Sequence, residues 1–229
     1  MRIRTPHRWN LAPSDAVTLQ RDLSRQVRLT PLTKPVRTVA GADMAILDAR
    51  GIAGVILYRV REDDAASCGL EEIERVWAAG PLTFPYIPGL LSFRELPLLL
   101  RAFERLRHEP DLILYDGQGI AHPRRFGIAS HLGLLLDRPT IGCAKSRLIG
   151  RYAEPAAAAG SHSPLVDDGE TVGAVVRTRA NVRPLFVSPG HRVTVADAVQ
   201  WTLACTDGYR LPKPTREADR YVAGLKRSR

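Results

Sequence analysis

Long apolar runs are missing from this chain of 229 residues. Its longest uncharged apolar stretches, residues 51–58 and 126–136, fall well short of the ~18 residues that a spanning helix needs. An integral membrane protein is therefore excluded. The first ten residues are basic, but no apolar segment follows them, so no secretory signal is expected. Cysteine is nearly absent as well. Cys68, Cys143 and Cys205 are odd in number, far apart and without a CxxC pair. That excludes a disulfide framework and a thiolate zinc site, and it fits a reducing, cytoplasmic setting. Lysine is scarce: Lys34, Lys145, Lys213 and Lys226 are the only four among 33 cations. No internal repeat is visible.

What remains is an ordinary globular mixture, 45% hydrophobic and 25% charged. A chain of this length can bury a core without covalent staples. The net charge is +9 and the sequence pI is near 10.0. A basic surplus carried by arginine points to a polyanionic partner, because guanidinium forks suit phosphate oxygens. A coding bias toward arginine accounts for part of the arginine count but not for the sign of the net charge.

Apolar spacing predicts an N-terminal amphipathic helix over 11–28, capped by Ser14, with Ala16, Leu19, Leu23 and Val27 on its inner face. Residues 31–35 read as a linker. Strands over 36–47 and 52–62, joined by a turn at 48–51, predict an antiparallel hairpin. Residues 63–72 are polar and carry no clear pattern, and a third strand is expected over 74–79. Pro81, Pro85 and Pro88 make 80–89 a rigid loop. A helix follows over 92–108, with Pro97 assigned to its first turn, where proline does least harm. A short buried strand at 111–115 leads into a loop at 117–125. A helix over 126–136 and a strand over 140–144 come next. Residues 153–163 are rich in small residues and read as a surface excursion. Strands at 171–177 and 184–187 suggest a second hairpin. Helices over 194–205, opened by a Thr194/Asp197 capping box, and 215–225 close the chain. Strands first and then alternation with helices predict an α/β protein with a mixed sheet. It is read as a single domain over 1–229, with its core over about 11–221 and a basic tail over 222–229.

The informative residues are acids where the pattern wants something apolar. Asp43 shares a strand face with Val39, Gly41, Ala45 and Leu47. A carboxylate there is costly unless it is paired or bound to a metal; the alternative is an edge strand facing water. Asp116 closes an apolar strand before Gly117-Gln118-Gly119, at the kind of strand end where α/β sheets bind ligands; the alternative is a turn aspartate. His122, Arg124 and Arg125 follow and suit phosphate. Glu95 fits a Ser92-Phe93-Arg94-Glu95 capping box, which would explain it with no chemistry at all. Lys145 follows a strand and reads as a phosphate-facing cation or a surface lysine. Clustered carboxylates would bind Mg²⁺, which takes oxygen ligands, for phosphodiester hydrolysis.

Five strings carry a resemblance. They are Pro85-Tyr86-Ile87-Pro88-Gly89-Leu90-Leu91-Ser92-Phe93-Arg94-Glu95, the run Asp116 to Ser130 with its Gly117, His122, Gly127 and Ile128, the run Thr140 to Gly150, Val187-Ser188-Pro189-Gly190-His191-Arg192, and Arg210 to Arg216. In this order, from about residue 11 to residue 221, they resemble the endonuclease V family. That resemblance implies a ribonuclease-H-like fold, a central mixed β-sheet flanked by helices, in which Asp43 and Asp116 lie on neighbouring strands. It implies an Mg²⁺-dependent endonuclease, with Mn²⁺ as a substitute, acting on inosine or other deaminated bases in DNA or RNA. The expected cut is at the second phosphodiester bond 3′ to the lesion, leaving 3′-hydroxyl and 5′-phosphate ends, in the service of DNA repair.

By the same resemblance, Asp43 and Asp116 are metal ligands and Glu95 the third acid, which turns the reading of Glu95 from cap to catalysis. His122 handles a proton or orients water, Lys145 holds a phosphate, and Tyr86 is the wedge that replaces an extruded base. Gly89, Leu91, Gly117, Gly127 and Ile128 form the base pocket. Asp219 stands where members vary between His and Asp, and Gln118 where many carry His. A monomer is expected. Three alternatives stay open: a ribonuclease acting mainly on inosine in RNA, a junction-resolving nuclease of the same fold, and a non-catalytic nucleic-acid binder.

Overall fold

A computed structural model describes residues 3–4, 7–61 and 69–228. The elements run α1 (Pro13–Ser24), β1 (Thr38–Leu47), β2 (Arg50–Arg61), β3 (Gly69–Pro81), α2 (Leu91–Phe103), β4 (Leu112–Tyr115), α3 (Ile128–Leu136), β5 (Thr140–Ala144), β6 (His162–Asp167), β7 (Glu170–Val176), β8 (Leu185–His191), α4 (Val195–Ala204) and α5 (Lys213–Arg227). Eight strands form one mixed sheet in the order β3-β2-β1-β4-β5-β8-β7-β6. β1, β4 and β5 are parallel neighbours, and the remaining pairs are antiparallel. This is the ribonuclease-H-like α/β arrangement that the motifs imply.

Side chains alternate across the sheet, so each strand feeds two cores. Ala40, Ala42, Val55, Leu57 and Ile113 pack under α2 and α3 with Leu96, Leu99, Phe103, Leu132 and Leu135. On the other face Val39, Leu112, Leu114, Ile141 and Cys143 meet Ala198, Val199 and Cys205. Cys143 and Cys205 are both buried. Helix α5 crosses β1 and β2 so closely that a Cβ on Gly41 would lie 2.0 Å from the Pro214 carbonyl oxygen. A backbone atom cannot swing aside as a side chain tip can. Gly41→Ala is therefore expected to cost about 3 kcal/mol or more, read as a lowered urea midpoint with an unchanged slope.

Several boundaries differ from the sequence reading. α1 starts at Pro13 behind Ala12, with no side-chain cap, so Ser14 lies inside the helix. It stops at Ser24, because the chain then turns to dock on the end of β8, where the Arg28 N–H donates to His191 Nδ1 at 3.3 Å. α2 starts at Leu91 and ends at Phe103, and it carries Pro97 inside rather than in its first turn. The lost backbone bond there is outweighed by the burial of Leu96, Leu98, Leu99 and Leu100. β3 is far longer than residues 74–79, while residue 62, the last of the expected second strand, and residues 63–68 of the patternless stretch lie outside the described residues. The expected surface excursion ends in β6, which pairs with β7, so the far half of the sheet is a three-stranded meander. The residues read as a basic tail from 222 onward form the last turns of α5, through Arg227. The Thr194/Asp197 box is present, with the Asp197 N–H donating to Thr194 Oγ1 at 3.1 Å. Among the described residues no helix is long and apolar enough to cross a membrane.

Candidate active site

The parallel ladder between β1 and β4 ends on the pair Ala42 and Tyr115. The next residue on each strand is an acid, Asp43 on one and Asp116 on the other. Alternation aims both toward the α5 face, so the register sets the two carboxylates side by side at one end of the sheet. Glu95 approaches from α2, where the Tyr115 hydroxyl donates to its Oε2 at 2.5 Å. No side chain caps α2, and Ser92 instead contacts His131 Nδ1 through its hydroxyl at 3.0 Å. The capping-box reading of Glu95 is therefore overturned, because the helix starts one residue before Ser92 and Ser92 has a different partner. Asp219, exposed on α5, adds its charge to the same end of the sheet.

These acids pay for their closeness in proton affinity. Burial pushes the Asp43 carboxyl up to about 7, and repulsion from Asp116, Asp219 and Glu95 adds to the rise. Burial likewise lifts Glu95 to about 7, against the Tyr115 hydrogen bond and the charge of Arg94. Asp116 is also raised by burial, although Lys145 pulls it back. The Lys145 ammonium lies 2.5 Å from Asp116 Oδ2. Burial alone would lower that ammonium, but Asp116 more than reverses the effect.

Tyr86 sits on a short loop held at both ends. Phe84 and Leu90 are buried against Phe93 and Ala16, and the Arg94 guanidinium donates to the Phe84 carbonyl. Between these anchors the Leu90 N–H closes a turn on the Ile87 carbonyl at 2.9 Å. Pro85 and Pro88 stiffen the loop further. Tyr86 projects from it with 70% of its surface exposed. Gly89 takes φ +80°, a conformation that favours glycine.

Behind this loop lies a cavity of about 430 Å³. Tyr86, Gly89, Leu91, Asp116, Gly117, His122, Gly127, Ile128 and Lys145 all line it. Asp43, Glu95 and Asp219 do not, and they lie beyond the Asp116 end. The sequence reading missed Gln20, Ser92, Arg147 and Leu148 in this lining. Gln20 carried a usable signal: it stands four residues after Ala16 on the buried face of α1. Leu148 lies in the run after Lys145 that carried the resemblance, and it is exposed. Tyr115, read only as the end of a buried strand, proves to be the partner of Glu95. Gln118 donates from Nε2 to the Ser146 carbonyl at 2.9 Å, tying the two loops that follow β4 and β5.

His122 is buried and fully engaged. Its Nε2 lies 3.0 Å from the Gly89 carbonyl, and its Nδ1 accepts the Arg124 N–H at 3.2 Å. That pattern requires the neutral ring protonated on Nε2. Burial, then the charge of Arg124, pushes its pKa down to about 4. A folded value below the ordinary 6.5 means that the unfolded chain takes up the proton first. Stability from this group is therefore complete above pH 6.5 and drains away as the pH falls toward 4. His122→Gln is expected to flatten that acid loss by roughly 2–3 kcal/mol, read from urea midpoints at several pH values in that window.

The donor set has the chemistry of a hard-cation site: clustered carboxylate oxygens with raised proton affinity, which a divalent charge would reverse. Among the described residues no three His, Cys, Asp or Glu side chains converge tightly enough to form a closed cage. Lys145 supplies the positive charge at Asp116 in this conformation. The residues thus fit a hard divalent ion in kind, with one carboxylate turned to an internal cation.

Comparison with known proteins gives a consistent result. The family profile for endonuclease V matches residues 21–220. An endonuclease V from Methanothrix thermoacetophila is 50% identical over 229 residues, covering 100% of this chain and 98% of that one. The crystal structure of endonuclease V from Streptomyces avermitilis superposes with a TM-score of 0.87 at 40% identity, covering 100% of this chain and 99% of that chain. The Ciona intestinalis endonuclease V, crystallised with a 24mer DNA containing an inosine, shares the fold with a TM-score of 0.79 at 24% identity, over 94% of this chain and 98% of that one.

Proposed function

Because the chain belongs to the endonuclease V family and is thus a nuclease, a phosphodiester hydrolase, we propose that it nicks nucleic acid beside a deaminated base. The substrate is a strand carrying inosine or deoxyinosine. The cut falls at the second phosphodiester bond 3′ to the lesion and leaves 3′-hydroxyl and 5′-phosphate ends. The role is DNA repair, by a monomer in the cytoplasm. One observation carries the reading: a single cavity runs from the exposed Tyr86 to Asp116 and Lys145, with main chain and small or apolar residues between. A base can leave its stack at one end while its backbone reaches the acids at the other.

Asp43, Asp116 and Glu95 would hold the metal, Mg²⁺ with Mn²⁺ as a substitute, with Asp219 within electrostatic reach. When bound, such an ion supplies Lewis-acid stabilisation to charge developing on phosphate oxygens and makes water more acidic. The protein's own groups do the rest. Tyr115 orients Glu95. Lys145, paired with Asp116 here, would be free for a substrate phosphate with that carboxylate holding the ion. Tyr86 fills the gap in the stack. The backbone of Gly89, Leu91, Gly117, Gly127 and Ile128 reads the edge of the flipped base. Hypoxanthine presents a carbonyl where adenine presents an amino group, so a main-chain N–H aimed there accepts one and rejects the other. His122, with both ring nitrogens engaged, positions the Gly89 carbonyl and shuttles no proton.

A nicking assay tests this. One end-labelled strand with a single inosine is presented as single-stranded DNA, duplex DNA and RNA, with Mg²⁺ or chelator. A metal-dependent nick one bond beyond the lesion's own 3′ linkage is expected, and relative rates rank DNA against RNA. Intact binding with no nick on any of the three would overturn the catalytic reading in favour of a binder.

A further inference from the structure

Gln20 lies outside every motif read from the sequence, on α1 rather than on the elements that carry Asp43, Glu95 and Asp116. It is nevertheless 1% exposed, and every hydrogen of its amide is spent on the cavity walls. Its Nε2 donates to the Gly89 carbonyl at 3.0 Å and to the Phe126 carbonyl at 3.1 Å. Gly89 belongs to the Tyr86 loop. Phe126 precedes Gly127, in a different segment of the cavity lining. One amide group therefore ties the two segments, and each of its hydrogens holds one of them.

The orientation of that amide is fixed by a third contact. Its Oε1 accepts from Arg124 Nε at 2.6 Å, so the nitrogen must face the carbonyls. The same arginine reaches on, and its Nη2 donates to the Gly89 carbonyl at 2.8 Å. With His122 Nε2 at 3.0 Å, three donors converge on that one oxygen. Two of them, His122 and Arg124, come from the loop after Asp116, and the third comes from α1. Removing Gln20 leaves the other two on Gly89 but leaves the Phe126 carbonyl without its side-chain donor. What fails is the spacing between the two segments, while the Gly89 carbonyl itself keeps two partners.

We propose that Gln20 is a positioning residue that sets the width of the base cavity and, through it, the choice of base. The inference rests on the proposed function of that cavity. A main-chain N–H discriminates a carbonyl from an amino group only if the base edge is held at hydrogen-bond distance. A slack wall lets either base sit beyond that distance and lose the same contact.

The test compares wild type with Gln20→Met, which fills the same space without hydrogen bonds, and Gln20→Glu, which keeps the Arg124 contact but cannot donate. Nicking is measured on strands that differ only in inosine against adenosine, over a range of strand concentration. For both variants we expect the half-saturating concentration of the inosine strand to rise about tenfold and the inosine-to-adenosine preference to fall about tenfold. The maximal rate on inosine should fall no more than about threefold. A merely structural role would lower the maximal rate on both strands together. Unchanged preference in the variants, at any rate, overturns the proposal. A wild type that shows no preference for inosine would instead remove the cavity reading itself, so the two failures are distinguishable.

Discussion

Replacing Asp43 with asparagine is expected to abolish nicking and stabilise the protein in the same step. The rate should fall by at least about 10³-fold, a loss of about 4 kcal/mol of transition-state stabilisation. The stability gain follows from the sign of the proton shift. The Asp43 carboxyl titrates at about 7 in the folded chain against an ordinary 3.8. Its contribution is fully present below 3.8 and is lost as the pH rises through 7. Above that, the folded state carries a buried, repelled charge that the unfolded chain solvates freely. Asparagine never ionises, so the penalty disappears, and the variant should exceed wild type by on the order of 2 kcal/mol at about pH 8 in chelator. Near pH 4 the two should converge. Urea midpoints at both pH values read this directly, and equal midpoints at pH 8 would show that Asp43 carries no such penalty. Added Mg²⁺ should raise the midpoint of wild type more than that of the variant, since only wild type keeps the full ligand set. A site that is unstable until a cation arrives is what clustered acids produce when function, not folding, has chosen them.

The elements that gave themselves away in the sequence were those with local causes. The Thr194/Asp197 box is a pair three residues apart and formed as read. The hairpin of β1 and β2 follows from alternation and a short turn. What stayed hidden depends on partners distant in the chain. Nothing in β3 announces a strand of 13 residues, because its charged side chains include Glu71, Glu72, Glu74 and Arg75, with Glu72 and Arg75 exposed; the β2 ladder holds them extended. β6 was masked by small residues before it and by Pro164 inside it, which an edge strand tolerates. Glu95 shows the limit most clearly. A Ser-x-x-Glu pattern is as good for a cap as for a catalytic acid, and the Tyr115 hydroxyl that decides the matter lies on another element. The adjacency of Asp43 and Asp116 is invisible to periodicity and was legible only through motif resemblance, since parallel strands pair across long connections. Gln20 failed to stand out because one buried polar residue on a helix face is ordinarily a core oddity, and its three partners come from two distant loops.

Tyr86→Ala should separate recognition from folding. The side chain is 70% exposed and belongs to no core cluster, so its removal should move the urea midpoint by no more than about 0.5 kcal/mol equivalent. Its loop is held by Phe84, Leu90 and the Arg94 bond, none of which involves the Tyr86 ring. The backbone should therefore keep its place with the wedge gone. What is lost is the surface that replaces an extruded base in the stack, and aromatic–base stacking is worth about 1–3 kcal/mol. Affinity for an inosine-containing strand should fall by roughly 5- to 150-fold, measured by fluorescence anisotropy in chelator. Tyr86→Phe should restore it, because stacking needs the ring and not the hydroxyl. The deficit should be larger in duplex than in single-stranded DNA, since only a duplex must be unstacked and unpaired before its base can leave. Equal losses on both substrates would mean that Tyr86 grips the strand without prising a base from it, and unchanged affinity would remove the wedge altogether.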